Sequence, residues 1–153
     1  MQDELKNYNL DEMLIIDITK EWSKTYRTDG KPDWSHIFPY YAKNIFFKDP
    51  IQEIHGMDDF TKMTKRLTKR CKSLEMDIKH IIKEDHLIFM EWTMTMKFRI
   101  FPKTSMYGTS RLTLSDDGKI IEQRDYYDLW GDMYQRVPVY RGIYRWFMKT
   151  FFG

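Results

Sequence analysis

Apolar and polar positions follow two different periods along the chain. Up to about residue 73, apolar residues mostly recur every three or four positions, the period of a helix with one buried face. From Leu74 onward the period becomes two, which is typical of strands with one face buried. Helices followed by a run of strands predict an α+β fold and not a parallel βαβ fold.

The first helix is predicted from Asn9 to about Arg27. Asn9 can cap it, and Glu12 follows three residues later, as in a capping box. A short second helix is predicted from Asp33 to about Tyr41. The apolar stripe of the first helix recurs every four residues and contains Leu10, Leu14, Ile18 and Trp22.

A short strand and a third helix complete the first half. The strand is predicted from Asn44 to Lys48 because that segment is apolar and ends at Asp49-Pro50. Asp58 then opens a helix, since acidic residues suit the positive end of the helix dipole. The buried stripe of this helix contains Phe60, Met63, Leu67 and Cys71.

Four strands of an antiparallel meander are predicted next. The clearest carries Met90, Trp92, Met94, Met96, Phe98 and Ile100 on one face. The strand before it places Leu74, Met76, Ile78, His80 and Ile82 on one face. Two further strands, about 107–114 and 120–127, are joined at Asp116-Asp117-Gly118, a good hairpin turn. Residues 129–152 are predicted to be helical with an interruption near Pro138.

Composition and charge limit the classes of function. The 153 residues predict one domain, 1–153, with a core at about 10–130 and a helical extension at about 131–152. A net charge of +2 and the lack of a nucleic-acid motif argue against nucleic-acid binding. One cysteine excludes a disulfide framework, and four histidines without ligand spacing give no metal signature, so no cofactor is expected.

The cellular location is predicted from what the sequence lacks. No apolar run approaches the roughly 18 residues that span a bilayer, and the acidic start, with Asp3 and Glu4, does not resemble a signal peptide. We therefore expect a cytoplasmic protein.

The order of elements and several short motifs resemble the SnoaL-like branch of the nuclear transport factor 2-like (ketosteroid isomerase-like) superfamily. The matching segments are Phe46-Phe47-Lys48-Asp49-Pro50, His55-Gly56, Leu112-Thr113-Leu114, Asp117-Gly118-Lys119 and Arg124-Asp125-Tyr126-Tyr127-Asp128. The resemblance covers about residues 10–130. It implies a cone-shaped curved sheet of six strands wrapped around helices, and a homodimer formed through the outer sheet face. Members include isomerases, polyketide cyclases, epoxide hydrolases, dehydratases and non-catalytic binding modules, so the fold alone does not give a reaction.

The resemblance suggests two catalytic carboxylates. Asp125 looks like the acid/base aspartate on the last strand of SnoaL-like cyclases, and Asp49 like the general base of the isomerases. A carboxylate in an apolar cavity becomes a stronger base because desolvation raises its pKa. The alternatives are that Asp49 caps the turn before Pro50 and that Asp125 forms an ion pair with Arg124 of a neighbouring subunit or pairs with His80. Asp128 is a weaker candidate because it lies near the strand end.

Three further positions bear on the reaction. At the places where the isomerases carry donors to the substrate oxygen, this chain has Trp22 and Ser110, which disfavours steroid isomerisation. An epoxide hydrolase of the superfamily needs an acid–arginine–acid arrangement, but Arg111 and Arg124 are expected to face outward. His80 is either a hydrogen-bonded core residue or a partner that tunes proton transfer by Asp125.

A small, largely apolar molecule is the predicted ligand. Met and Trp side chains make an adaptable apolar wall, although ordinary core packing would give the same pattern. The predicted ligand-binding residues are Trp22, Met90, Trp92, Met94, Met96, Phe98, Ser110, Gln123 and Tyr127. Acid–base isomerisation, cyclisation or dehydration is one hypothesis, and a non-catalytic ligand-binding or dimeric assembly module is the other. Whether the protein is an enzyme stays open.

The C-terminal segment has a composition of its own. After Asp132 it holds no acidic residue, and aromatic residues alternate with Arg136, Arg141, Arg145 and Lys149. Such a segment could cover the pocket, pack on a second subunit or lie weakly on an anionic membrane surface.

Overall fold

The computed structural model describes residues 8–133 and 136–153. The first half forms α1 (Ile15–Ser23), β1 (Tyr26–Thr28), β2 (Lys31–Asp33), a 3-10 helix (Ser35–Tyr40), β3 (Tyr41–Lys48), β4 (Glu53–His55) and α2 (Met57–Arg70). The second half forms β5 (Cys71–Glu84), β6 (Leu87–Phe98), β7 (Thr104–Leu114), β8 (Ile120–Tyr127), a π-helical turn (Leu129–Met133) and α3 (Pro138–Phe152). The acidic start at 3–4 and the predicted helical residues 134–135 lie outside the described residues.

Six strands form one curved mixed sheet in the order β4-β3-β8-β7-β6-β5. β3 runs parallel to β8, whereas the other neighbouring strands of this sheet are antiparallel. The α+β class, the meander of the last four long strands and the hairpin turn at 116–118 are therefore confirmed. β1, β2 and β4 were not predicted, because strands of three residues are too short to show a period.

α1 begins six residues later than predicted. The Asn9 side chain accepts a hydrogen bond from the Asp11 backbone at 2.9 Å, and the Leu10 N–H bonds the Gly118 carbonyl at 3.0 Å. These contacts attach residues 9–11 to the β7–β8 hairpin instead of starting a helix. Leu14 therefore lies outside the helix and is exposed, while Ile18 and Trp22 are buried as expected.

The predicted second helix is a 3-10 helix of six residues. Asp33 belongs to β2 and accepts the backbone N–H of Ser35 at 2.7 Å. Pro39 lies inside the turn and has no N–H to donate, so a regular α-helix is not favoured there. This compact segment places Trp34, Ile37 and Phe38 against the core.

The core lies between the helices and the inward face of the sheet. α1 packs on β5, and α2 packs on β3 and β5. Alternate residues of β6 are buried as predicted, and they meet aromatic residues of the helices and β3. The Phe60 ring of α2 lies 4.7 Å from the Tyr41 ring and 5.4 Å from the Phe47 ring. Burial of each such side chain stabilises the fold by roughly 1.5–3 kcal/mol.

Candidate functional site

A cavity of about 130 Å³ lies between the helices and the concave face of the sheet. Most of its wall is apolar, and its polar groups come from β3 and the turn after it, α2, β7 and β8. The apolar lining consists of Trp22, Trp34, Ile37, Phe47, Phe60, Met63, Leu67, Met76, Ile78, Met90, Trp92, Met94 and Met106. The polar lining consists of Tyr41, Asp49, Thr64, Ser110, Gln123, Asp125 and Tyr127.

Asp125 is the centre of the polar group. Its Oδ1 accepts hydrogen bonds from the Ser110 hydroxyl at 2.6 Å and from the Gln123 amide at 2.9 Å. Gln123 lies two residues earlier on β8, and Ser110 lies opposite Asp125 on β7, so strand alternation places all three on the concave face. Among the described residues, no group donates a hydrogen bond to Asp125 Oδ2. This oxygen is therefore available to a ligand.

Two hydrogen-bond relays hold the donors of Asp125 in place. The Trp92 indole N–H donates to Ser110 Oγ at 2.9 Å, so the Ser110 proton is directed to Asp125. The Tyr41 hydroxyl donates to Gln123 Oε1 at 2.7 Å, which turns the Gln123 amide group toward Asp125. The Ser110 hydroxyl therefore donates its proton to the Asp125 carboxylate and not to a substrate oxygen.

The environment shifts the pKa of three groups in the cavity. Burial raises the pKa of Asp125 to about 6, and the nearby charge of Asp49 acts in the same direction. The hydrogen bonds from Ser110 and Gln123 oppose this shift. Burial also raises the pKa of the Tyr41 and Tyr127 hydroxyls. Both phenols thus stay protonated, whereas Asp125 titrates near physiological pH.

Asp49 both caps a turn and lines the cavity. Its Oδ1 accepts the backbone N–H groups of Ile51 at 2.8 Å and Gln52 at 2.9 Å. Its Oδ2 accepts the Tyr127 hydroxyl at 3.2 Å, and its side chain belongs to the cavity wall. Asp49 thus accepts three hydrogen bonds through both of its oxygens, whereas Asp125 accepts two through Oδ1.

The predicted inward orientation of His80 is wrong. The His80 side chain is 79% exposed and its Nδ1 lies 2.7 Å from Glu91 Oε2. The pairing of β5 with β6 shifts by one residue between Ile78 and His80, as in a β-bulge. The extra residue reverses the faces, so Ile81 packs against the core and His80 does not pair with Asp125.

Met96 and Phe98 lie farther along β6 than the cavity reaches. Met96 is buried in the core, and Phe98 packs at 6.0 Å against the Phe101 ring. Nine predicted site residues do line the cavity, namely Trp22, Asp49, Met90, Trp92, Met94, Ser110, Gln123, Asp125 and Tyr127.

Sequence reasoning missed Tyr41. It was assigned to the second helix, whereas it begins β3 and provides the hydroxyl that orients Gln123. Phe47, two residues before Asp49, shares the concave face with Tyr41. The strand pattern could not have indicated it, because Lys43 is exposed and the register of β3 with β8 shifts between Tyr41 and Phe46.

The arginines do not build an acid–arginine–acid site. Arg111 and Arg124 both contact Glu122, and none of these three residues belongs to the cavity wall. Within the described ranges, no three His, Cys, Asp or Glu side chains lie close enough together to bind a metal ion. The polar groups of the cavity wall are the carboxylates, hydroxyls and amide described above.

Solved structures of the same architecture define the class of fold. A provisionally assigned SnoaL-like polyketide cyclase from Jannaschia sp. CCS1 matches with a TM-score of 0.60 and 16% identity, over 86% of this chain and 92% of that one. An epoxide hydrolase of M. tuberculosis matches with a TM-score of 0.56 and 18% identity, over 66% and 74% of the chains. An NTF2-like protein of unknown function from Exiguobacterium sp. 255-15 matches with a TM-score of 0.57 and 18% identity, over 62% and 82%. The fold is thus the nuclear transport factor 2-like cone.

Sequence similarity narrows this class to a family. The profile of the SnoaL-like domain matches residues 23–123, about two thirds of the chain. The chain therefore belongs to the SnoaL-like family. No curated protein matches the sequence significantly. Proteins of this fold include a polyketide cyclase and an epoxide hydrolase by the descriptions above. No helix in the described part of the chain is both long and apolar enough to cross a membrane.

Proposed function

We propose that this protein binds a small, largely apolar molecule in the conical cavity and that Asp125 acts on it as a general acid/base. The observation that carries the proposal is the Asp125 carboxyl at the polar end of an apolar cavity, with one oxygen held and the other available. A base works best when its pKa lies near the working pH. With a pKa of about 6, roughly nine tenths of Asp125 would be ionised at pH 7.

The size of the cavity favours a ligand with a single ring. A cavity of roughly 150 Å³ can take up benzene, and the present one is about 130 Å³. The indole of Trp92 and the thioethers of Met90 and Met94 offer polarizable contacts to a flat ring. The substrate class we propose is a monocyclic carbonyl compound whose oxygen lies at the polar end.

The reaction that this arrangement supports is a proton shift next to a carbonyl group. Asp125 Oδ2 would remove a proton from the carbon beside the carbonyl, and the electron pair would move onto the carbonyl oxygen as an enolate forms. The Tyr127 hydroxyl, on the same face of β8, could turn from Asp49 to donate to that oxygen. The ring must therefore carry a β,γ double bond, so that the enolate is a dienolate. Asp125 then returns the proton to the γ-carbon, the carbonyl C=O re-forms and the carbon–carbon double bond moves into conjugation with it, without an oxidant, a reductant or a cofactor.

Turnover of a defined probe tests the proposal. We expect the wild type to convert cyclohex-3-enone to its conjugated isomer, followed by the ultraviolet absorbance of the product. Asp125→Asn should lower kcat by roughly 10²–10⁴-fold with little change in KM. Asp128→Asn is the matched control, because Asp128 lies on the same segment but is exposed and outside the cavity wall. Equal kcat in the wild type and Asp125→Asn would remove Asp125 from the mechanism.

A non-catalytic binding module is the second candidate. The observation that favours it is that Asp49, the other carboxylate of the cavity, accepts three hydrogen bonds from within the chain and is held in the turn. In that case native mass spectrometry would find a co-purified ligand, and Asp125→Asn would retain it. Binding of the cyclohexenone probe without turnover would favour this candidate over the enzyme.

We also propose a homodimer formed through the outer face of the sheet. Phe89, Tyr107 and Tyr126 are exposed on this face and place three aromatic rings on it. Sedimentation velocity of the wild type and of Tyr107→Lys/Tyr126→Lys tests this arrangement. We expect the wild type to sediment as a dimer and the variant as a monomer. A wild type that sediments as a monomer would contradict the proposed homodimer.

A further inference from the structure

The C-terminal helix α3 carries an exposed apolar side and a basic side. Arg141, Arg145 and Lys149 recur every four residues and therefore share one side of the helix. Apolar residues occupy another side and remain exposed, with Ile143 at 60% and Trp146 at 64%. None of the α3 residues is buried, so the helix contributes little to the core.

Within the part of the chain that the structure describes, the half-buried positions of α3 form a narrow strip. The Tyr144 ring stacks on Trp130 at 5.9 Å with an interplanar angle of 6°. Met148, one turn later, is the other half-buried residue of the helix. No residue after Tyr127 in the described part of the chain lines the cavity, so α3 does not cover it. The apolar side of α3 is therefore not buried by any described part of the chain.

A second exposed element lies beside the start of α3. The β6–β7 loop carries Ile100, which is fully exposed, between the exposed basic residues Arg99 and Lys103. The Arg136 guanidinium donates to the Lys103 carbonyl at 2.8 Å and so joins this loop to the C-terminal segment. Like α3, this loop combines an exposed apolar residue with neighbouring positive charges.

We propose that α3 and the β6–β7 loop bind the surface of an anionic lipid membrane. Exposed apolar side chains would enter the headgroup boundary while Arg141, Arg145 and Lys149 meet the phosphates. Charge favours this occupant over a second copy of the chain, because the sequence holds no acidic residue after Asp132 to pair with the arginines of another α3. At 15 residues, the helix is too short to span the bilayer but long enough to lie along it.

Co-sedimentation of the full chain with vesicles tests the proposal. The probes are phosphatidylcholine vesicles with and without about 30% phosphatidylserine. We expect binding only to the anionic vesicles, weakened by salt. In Arg141→Gln/Arg145→Gln/Lys149→Gln the partition coefficient should fall roughly a hundredfold. Trp146→Ser/Phe147→Ser should also weaken binding, and circular dichroism would verify that both variants are folded.

The matched control removes the same charges elsewhere. Arg66→Gln/Lys69→Gln/Arg70→Gln neutralises two arginines and one lysine that are exposed on α2. This variant should pellet like the wild type. Equal losses in the control and the α3 variant would overturn the proposal, because net charge alone would then explain binding. It would also be overturned if the wild type did not pellet, or if the α3 substitutions only converted a dimer to a monomer.

Discussion

Replacement of Asp125 by Asn tests the electrostatics of the cavity without any knowledge of the substrate. In the folded protein the pKa of Asp125 is about 6, against an ordinary value of 3.8. At pH values between 3.8 and 6, Asp125 has lost its proton in the unfolded chain but still holds it in the folded chain. The free energy of unfolding therefore decreases as the pH rises through this window. The amide introduced by Asp125→Asn does not titrate, so the variant escapes this loss.

The size of the effect follows from the two pKa values. A difference of about 2.2 between 6 and 3.8 corresponds to about 3 kcal/mol at pH values well above 6. Only about 1 kcal/mol of this is expressed at pH 4.5, so the stability of Asp125→Asn relative to the wild type should rise by about 2 kcal/mol between pH 4.5 and 7.5. The change should level off above pH 7, where both states have lost the proton.

Urea denaturation at several pH values measures this difference. The two proteins should have the same dependence of unfolding free energy on urea, so that the midpoints report stability. Asp116→Asn, on the exposed hairpin turn, is the control for loss of a carboxylate, and its stability difference from the wild type should change less with pH than that of Asp125→Asn. A stability difference between Asp125→Asn and the wild type that stays constant over this range would refute the desolvation of Asp125.

Two further substitutions test the relay that holds Asp125. Gly108→Ala should destabilise the fold by about 1–3 kcal/mol in thermal denaturation, because the new methyl group would overlap the Trp92 indole. Gly142→Ala in α3 should not destabilise the fold, because no atom lies within 4 Å of the new methyl group. Ser110→Ala should raise the pKa of Asp125, measured by carboxyl-carbon nuclear magnetic resonance, because it removes a hydrogen bond that stabilises the ionised form. Rescue by Ser110→Thr is expected, and an unchanged pKa in Ser110→Ala would contradict the relay.

Strand periodicity predicted much of the fold and the apolar wall. The inward face of β6 was visible in the sequence because side chains on a strand alternate without exception while the pairing is regular. The same rule placed Gln123 and Asp125 together on β8, and both line the cavity. The long, strongly patterned elements were predicted well because each buries one face along its whole length.

The β-bulge in β5 shows where this reasoning stops. One extra residue between Ile78 and His80 is a property of the pairing with β6, and no local pattern marks it. Its effect is large, because it moves His80 from the predicted interior to the surface. In the same way, the predicted first six residues of α1 are not helical, because the Leu10 N–H bonds the Gly118 carbonyl, a contact between residues far apart in the sequence.

By itself, the sequence determined the class of fold and the faces of the regularly paired strands, because these depend on local periodicity, and its resemblance to the SnoaL-like family indicated the two carboxylates worth testing. Only the tertiary structure decided which polar groups meet. It joined Tyr41 of β3, Trp92 of β6 and Ser110 of β7 to Asp125 of β8 through hydrogen bonds between strands. The pKa of Asp125 is a consequence of that convergence, since desolvation depends on everything packed around the carboxyl group.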